Sequence, residues 1–93
     1  MLELREKVEI VNAKGLHARA SAKFVNMVAT LPEGLAIKVV KDGTEAAGGS
    51  ILGLMMLGAA KGDTVEIIVS GGPDGESALA RLTGLIMDGF GED

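Results

Sequence analysis

The stretch that decides the fold joins a strand pattern to a helix pattern and reads Gly15-Leu16-His17-Ala18-Arg19-Ala20-Ser21-Ala22. It holds the only histidine among the 93 residues. The first N–H groups of a helix have no partner within the helix, and the helix dipole places partial positive charge there. We therefore expect His17 to lie beside free amides, with Arg19 within reach of the same spot. Such a place suits a histidine that carries a phosphoryl group.

The sequence on both sides of this stretch alternates between strand and helix periodicity. Period-two alternation predicts strands over residues 6–12 and 64–70, and β-branched residues predict a strand over residues 35–41. The hairpin signal Asp42-Gly43 predicts a short antiparallel partner over residues 44–47. Apolar residues at helical spacing predict helices over residues 17–31 and 51–57, and a last helix from Pro73 onward. Asp74 and Glu76 suit the first turn of that last helix, and the ending 91–93 is expected to fray.

The order of these elements, β-α-β-β-α-β-α, predicts a single α+β domain over residues 1–93. Each strand has one apolar face, and each long helix has one apolar stripe. The simplest packing is an open-faced two-layer β-sandwich. In that fold a four-stranded, mainly antiparallel sheet carries three helices on one side.

Composition excludes several classes of function. The net charge of −4 and the near absence of aromatic residues argue against nucleic-acid binding. The chain has no cysteine and one histidine, so we expect no disulfide, no zinc–thiolate site, no metal and no cofactor. No apolar run approaches the ~20 residues that span a membrane, and the charged start is not followed by a signal-peptide core. A cytoplasmic protein is expected.

The short helix predicted over residues 51–57 is apolar all round. At helical spacing Ile51, Leu52 and Met55 share one arc, while Leu54 and Leu57 lie on the opposite one. A two-turn helix on a small domain cannot bury both arcs. We expect one arc to form an exposed apolar patch of the kind that marks a binding surface, although a core helix is the alternative.

Position alone does not assign chemistry to His17. A single histidine near a helix start is most often a surface residue or a satisfied core residue. Two other classes of function also fit the pattern. A regulatory ligand-binding domain would need a pocket but no reactive histidine, and a pure interaction module would use only Ser50 and the apolar patch.

Two stretches resemble the signatures of the HPr family, the histidine phosphocarriers of the bacterial phosphotransferase system. Residues 15–25 are similar to the active-site signature, and residues 50–63 are similar to the second signature. The resemblance covers essentially the whole chain. The stretch 42–46 and the ending 88–93 look closer to NPr, the nitrogen-branch member.

The resemblance implies a function and a set of partners. His17 would accept a phosphoryl group on Nδ1 from phosphorylated enzyme I, which phosphoenolpyruvate charges, and would pass it to an EIIA-type protein. The chain would then be a monomeric carrier, a phosphoryl-transfer intermediate rather than a turnover enzyme. Arg19 and the backbone amides of Ala18 and Arg19 would hold the phosphoryl group.

Ser50 matches the serine that HPr kinase/phosphorylase modifies in many bacteria, although serine is also an ordinary helix cap. The expected docking residues are Leu16, Ile51, Leu52 and Met55.

One position departs from the family pattern. Members commonly have proline after the arginine, and this chain has Ala20. Proline would fix φ in the first helical turn, whereas alanine enters a helix easily. We expect phosphotransfer to survive, with a slightly looser helix start.

Overall fold

The computed structural model describes residues 3–92. Four strands and three helices follow one another in the predicted order, and a single-turn 3-10 helix, Gly89–Gly91, ends the described chain. The elements are β1 (Glu3–Glu9), α1 (Ala18–Ala29), β2 (Ala36–Lys41), β3 (Thr44–Ala47), α2 (Ile51–Met56), β4 (Thr64–Ser70) and α3 (Gly75–Met87). The predicted α+β class is confirmed.

The four strands form one antiparallel sheet in the order β1-β4-β2-β3. The register places Val8 opposite Val65 and Val39 opposite Ile67. These four side chains are buried in one core with residues of all three helices. Because side chains alternate along a strand, the same register turns most of the charged strand positions to the other face. The sheet is therefore covered on one side and open on the other, as the pattern predicted.

The open face of the sheet contains one buried apolar side chain, Ile68, which is 5% exposed. Its cross-strand neighbours are Arg5 and Lys38. Long basic side chains can cover apolar surface with their methylene stems while their charged ends stay in water. Arg5 also pairs with Glu66 at 3.2 Å. The open face is thus a charged surface with one sheltered isoleucine rather than an apolar docking face.

Both aromatic side chains of the protein lie in the core. Phe24 of α1 and Phe90 of the 3-10 turn are each 1% exposed. The remaining core is aliphatic, as the composition required. Phe90 comes after α3, so its burial fixes the end of the chain to the body of the domain.

Several predicted boundaries were wrong, most of all in β1, α1 and α3. The first strand runs from Glu3 to Glu9 rather than over residues 6–12, because Ile10 leaves the ladder and pairs with the turn before β4, its N–H donating to Asp63 O at 2.8 Å. α1 ends at Ala29 rather than at Leu31. Its last turn is closed by the Thr30 N–H, which donates to Met27 O at 3.0 Å.

The start of α3 was also predicted too early. Pro73 lies in a turn, and Asp74 is the N-cap with φ −92° and ψ 17°. Helical hydrogen bonding begins when the Ala78 N–H donates to Asp74 O at 3.0 Å. Glu76 does lie in the first turn of α3 as predicted.

The expected fraying of residues 91–93 was wrong for the two residues that the structure describes. Gly91 belongs to the 3-10 turn, and its N–H donates to Asp88 O at 3.2 Å. The Glu92 side chain is bonded to the histidine that precedes α1. Asp93 lies outside the described residues.

Candidate functional site at the start of α1

His17 is the N-cap of α1, with extended backbone at φ −72° and ψ 179°. Its carbonyl accepts the first helical hydrogen bond, from the Ser21 N–H at 2.9 Å. Its side chain makes no capping hydrogen bond. The first-turn amides of Ala18, Arg19 and Ala20 therefore have no partner within the helix. The helix start keeps its donors and its positive dipole end available for an anion.

Gly15 fixes the loop that leads into this helix. It has φ +62°, and a Cβ at this position would lie 2.2 Å from Ala59 O. The next residue, Leu16, donates its N–H to the same carbonyl at 2.9 Å. Only glycine permits this approach, so the loop before α1 is held directly against the loop after α2.

The side chain of His17 is held by the end of the chain. Its Nε2 lies 2.6 Å from Glu92 Oε2, and the other carboxylate oxygen of Glu92 accepts from Asn12 Nδ2 at 3.2 Å. Asn12 Nδ2 also donates to Gly15 O at 2.8 Å. His17 Nδ1 makes no hydrogen bond to any residue in the described range 3–92. One ring nitrogen is thus engaged, and the other is open to a ligand.

The environment of Glu92 favours its ionised form. The hydrogen bond from His17 lowers the pKa of the Glu92 carboxyl below its ordinary value, and the bond from Asn12 and the charge of Lys23 lower it further. Partial burial opposes the shift more strongly than the Asn12 bond or the Lys23 charge favours it, but less strongly than the His17 hydrogen bond, so the pKa stays lowered. At neutral pH the group beside His17 is therefore a carboxylate.

A left-handed turn brings Glu92 to the site. Phe90 has φ +58°, and the glycines on either side of it, Gly89 and Gly91, have φ +64° and +72°. A left-handed conformation costs a residue with a Cβ roughly 1–2 kcal/mol. Burial of the Phe90 ring offsets this cost, and Lys23 Nζ donates to Phe90 O at 2.6 Å. The turn therefore returns the chain to α1.

Neither Glu92 nor Asn12 was predicted as a site residue. His17 and Glu92 are 75 positions apart in the sequence, and such a separation leaves no local spacing signal. The one usable sequence signal was the aromatic Phe90 between two glycines, a pattern typical of an anchored turn rather than of a frayed end.

Basic side chains surround the histidine. Lys14, Arg19 and Lys23 line an open cleft of about 610 Å3 together with His17 and Glu92. Three positive groups thus face one carboxylate in the cleft wall. Arg19 is exposed and makes no ion pair within residues 3–92. Arg19 was singled out in the sequence, whereas the structure adds Lys14 and Lys23 to the cleft.

The short helix α2 divides its apolar residues as predicted. Ile51, Leu52 and Met55 are 41%, 67% and 40% exposed, whereas Leu54 is fully buried. Met56, which the pattern did not single out, is 75% exposed and extends the patch. We call Ile51, Leu52, Met55 and Met56 the α2 patch. α2 packs against α1, and the loop after α2 contacts the loop before His17, where the Leu16 N–H donates to Ala59 O.

Leu16 does not belong to this exposed surface. It was expected to be a docking residue, but it is 6% exposed and lies in the hydrophobic core. The tight contact between the Gly15 loop and Ala59 turns its side chain inward. Its contribution is to anchor the loop before His17.

Ser50 is the N-cap of α2, with φ −114° and ψ 108°. Its Oγ accepts from the Gly53 N–H at 2.9 Å. This contact is the ordinary capping role that was weighed for this residue, and it accounts for a serine here without any modification.

Within residues 3–92, no helix has the length and hydropathy to cross a membrane.

Comparison with known proteins identifies the family. Residues 4–88 match the family model described as PTS HPr component phosphorylation site. The chain is 43% identical to phosphocarrier protein HPr of Neisseria meningitidis, covering 96% of this chain and 97% of that protein. It is 36% identical to phosphocarrier protein NPr of Escherichia coli, covering 99% and 100%.

Solved structures agree with this result. HPr-C-His from Thermoanaerobacter tengcongensis is 38% identical and superposes with a TM-score of 0.82, covering 100% of this chain and 99% of that one. An HPr structure from the same organism, described as a dimer, is also 38% identical and has a TM-score of 0.66, covering 91% and 94%. The chain belongs to the HPr family, the phosphocarrier proteins of the phosphotransferase system.

Proposed function

We propose that His17 accepts a phosphoryl group from phosphorylated enzyme I and passes it to an EIIA-type protein. The observation that carries this proposal is the free Nδ1 of His17 at a helix start whose amides have no side-chain cap. A doubly charged phosphoryl group on this nitrogen meets the amides of Ala18 and Arg19 and the positive end of the helix dipole.

The transfer itself needs little beyond positioning and charge stabilisation. The lone pair of Nδ1 attacks phosphorus, a new N–P bond forms, and the bond to the nitrogen of the donor histidine breaks with its electron pair. Arg19 is unpaired within the described chain and can turn its guanidinium toward the oxygens of the phosphoryl group. Lys14 and Lys23 add positive charge to the cleft wall.

The site is open enough for a carrier. The His17 side chain is 27% exposed, and the cleft opens to solvent. A partner histidine can therefore approach in line with Nδ1 from outside. The α2 patch supplies apolar surface for the contact, and the basic groups around His17 supply steering for an acidic partner.

A labelling experiment tests the carrier function. The protein is incubated with enzyme I and phosphoenolpyruvate, and bound phosphate is measured before and after mild acid. About one acid-labile phosphate per chain is expected for the wild type and none for His17→Ala. The charged protein is then offered to a set of EIIA-type proteins, and transfer to at least one is expected. No phosphate on the wild type would contradict the proposal.

The same assay tests the departure at Ala20. The alanine is fully buried and α1 begins at Ala18, so we expect Ala20 to support phosphotransfer. Ala20→Pro is expected to change the rate only modestly. An inactive wild type that becomes active with proline would contradict this expectation.

A second candidate function is regulation through Ser50. A phosphate at the N-cap of α2 would be tolerated by the helix dipole and would add negative charge beside Ile51 and Leu52. Ser50→Asp is expected to lower the rate of His17 phosphorylation by enzyme I. An unchanged rate would exclude this function.

We also expect the protein to act in the cytoplasm as a monomer without a cofactor. Sedimentation of the purified chain, with and without bound phosphate, measures the oligomeric state and tests the monomer.

A further inference from the structure

We propose that Glu92 is a positioning residue for His17. Its carboxylate keeps the ring proton on Nε2 and thereby leaves the lone pair on Nδ1, and Asn12 holds the carboxylate in place. This inference deepens the proposed function. The expected effect on the transfer rate rests on that function, whereas the expected tautomer of the resting histidine can be measured without any phosphoryl transfer.

The contact between His17 and Glu92 determines which ring nitrogen carries the proton. An ionised carboxylate can accept hydrogen bonds but cannot donate them. With Oε2 at 2.6 Å from His17 Nε2, the proton between the two groups must belong to Nε2. A neutral imidazole with its proton on Nε2 has its lone pair on Nδ1. The nitrogen left as nucleophile is therefore the one that makes no hydrogen bond within residues 3–92.

Glu92 also stabilises the charge that forms on the His17 ring during transfer. When Nδ1 bonds to phosphorus, positive charge spreads through the ring to the Nε2–H group. The bond to the donor nitrogen breaks with its electron pair, and the proton on Nε2 stays where it is. A carboxylate already in contact with Nε2 stabilises that charge without further rearrangement. Glu92 therefore favours the formation of the phosphohistidine as well as its geometry.

The buried side chain of Asn12 holds Glu92 in place. Asn12 is 5% exposed, and its Nδ2 donates both to Gly15 O at 2.8 Å and to Glu92 Oε1 at 3.2 Å. The same amide thus connects the loop before His17 to the carboxylate that orients His17. Lys23 Nζ donates to Phe90 O and so fixes the backbone two residues before Glu92 against α1.

Charged groups around the pair are consistent with this role. Lys14, Arg19 and Lys23 line the cleft, and Glu92 is the one acid among its lining residues in the described chain. Without Glu92 the histidine would face three cations and no counter-charge. The carboxylate is thus placed to act on the ring, whereas the three cations remain available to the oxygens of a phosphoryl group.

Heteronuclear NMR of isotope-labelled histidine tests the tautomer directly. The wild type, Glu92→Gln, Glu92→Ala and the control Asp88→Asn are compared near neutral pH, with stability measured in parallel. The control changes an exposed acid four residues earlier in the chain. We expect a dominant Nε2–H form in the wild type, in Glu92→Gln and in the control, and a mixture of both tautomers in Glu92→Ala.

Kinetics separate the tautomer from the charge. At saturating enzyme I, Glu92→Ala is expected to lower the rate of phosphoryl acceptance about tenfold with little change in the apparent affinity. Glu92→Gln keeps an acceptor but loses the charge, so an intermediate rate is expected. A wild-type tautomer pattern in Glu92→Ala, or an unchanged rate, would overturn the inference. A wild type that accepts no phosphate contradicts the proposed function instead, and the tautomer result then still decides the role of Glu92.

Discussion

Two helices in this protein begin with the same backbone geometry but differ in whether a side chain caps their first amides. His17 and Ser50 are both N-caps with extended backbone, at the start of α1 and of α2. Ser50 satisfies its helix, since its Oγ accepts from the Gly53 N–H at 2.9 Å. His17 caps no amide of α1, because its ring is bonded to Glu92 instead, and the first-turn amides stay without a side-chain partner. The start of α2 is therefore stabilised by its own cap, whereas the start of α1 keeps donors that suit an anion.

The loop that presents His17 gives the largest predicted effect. Gly15→Ala places a Cβ 2.2 Å from Ala59 O and also strains a residue at φ +62°. We expect the free energy of unfolding to fall by about 2 kcal/mol or more, because strain and backbone displacement add. Chemical denaturation measures the loss.

Gly58→Ala is the matched control for this loop. Gly58 has φ +65°, and a Cβ added there would meet no atom within 4 Å, so this variant tests the strain alone. We expect a loss of roughly 1 kcal/mol. Equal losses in the two variants would show that the contact with Ala59 does not hold the His17 loop.

The α2 patch gives the next effect, on transfer rather than on stability. Met55→Glu puts a charge on a side chain that is 40% exposed. Phosphotransfer from enzyme I is expected to fall about tenfold or more, while the free energy of unfolding changes by less than about 0.5 kcal/mol. Met87→Glu makes the same change at a methionine that is 64% exposed and lies outside the patch. A large stability loss in Met55→Glu, or equal transfer in both variants, would count against docking by α2.

The two caps themselves can be exchanged for alanine. Ser50→Ala removes a capping bond and is expected to cost about 1 kcal/mol of stability, with phosphoryl acceptance retained. His17→Ala removes no capping bond and is expected to cost less, with acceptance abolished. Thermal unfolding and phosphate labelling of both variants give the result. The comparison fails if His17→Ala is the less stable of the two.

The smallest effect is a dependence on pH at the Glu92 contact. The pKa of Glu92 is lower in the folded protein than its ordinary value of 4.5, so the unfolded chain binds the proton more readily. The contribution of Glu92 to stability is therefore present above that ordinary value and is lost as the pH falls through the lower folded-state pKa. The stability difference between the wild type and Glu92→Gln is expected to shrink as the pH falls from about 5 to about 3. A difference that grows over this range would contradict the assigned contact.

The sequence predicted the parts of the fold that depend on local patterns. Thr64–Ser70 was predicted to the residue from its alternation and Thr44–Ala47 from the turn signal before it, and helical spacing separated the two arcs of α2. His17 and Arg19 could be singled out because glycine, histidine and the helix start are neighbours in the chain.

The contacts that complete the site could not be predicted in the same way. Glu92 reaches His17 through a left-handed turn at Phe90, and periodicity carries no information about such a turn. Leu16 was expected among the docking residues, whereas it lies in the core next to the close approach of Gly15 to Ala59. Both outcomes depend on contacts between residues far apart in the sequence.

The most direct test is to find the ring nitrogen that carries phosphorus after charging by enzyme I and phosphoenolpyruvate. Heteronuclear NMR of labelled His17 distinguishes the two positions. The structure predicts phosphorus on Nδ1, with a proton retained on Nε2 beside Glu92. Phosphorus on Nε2, or on a residue other than His17, would contradict the account.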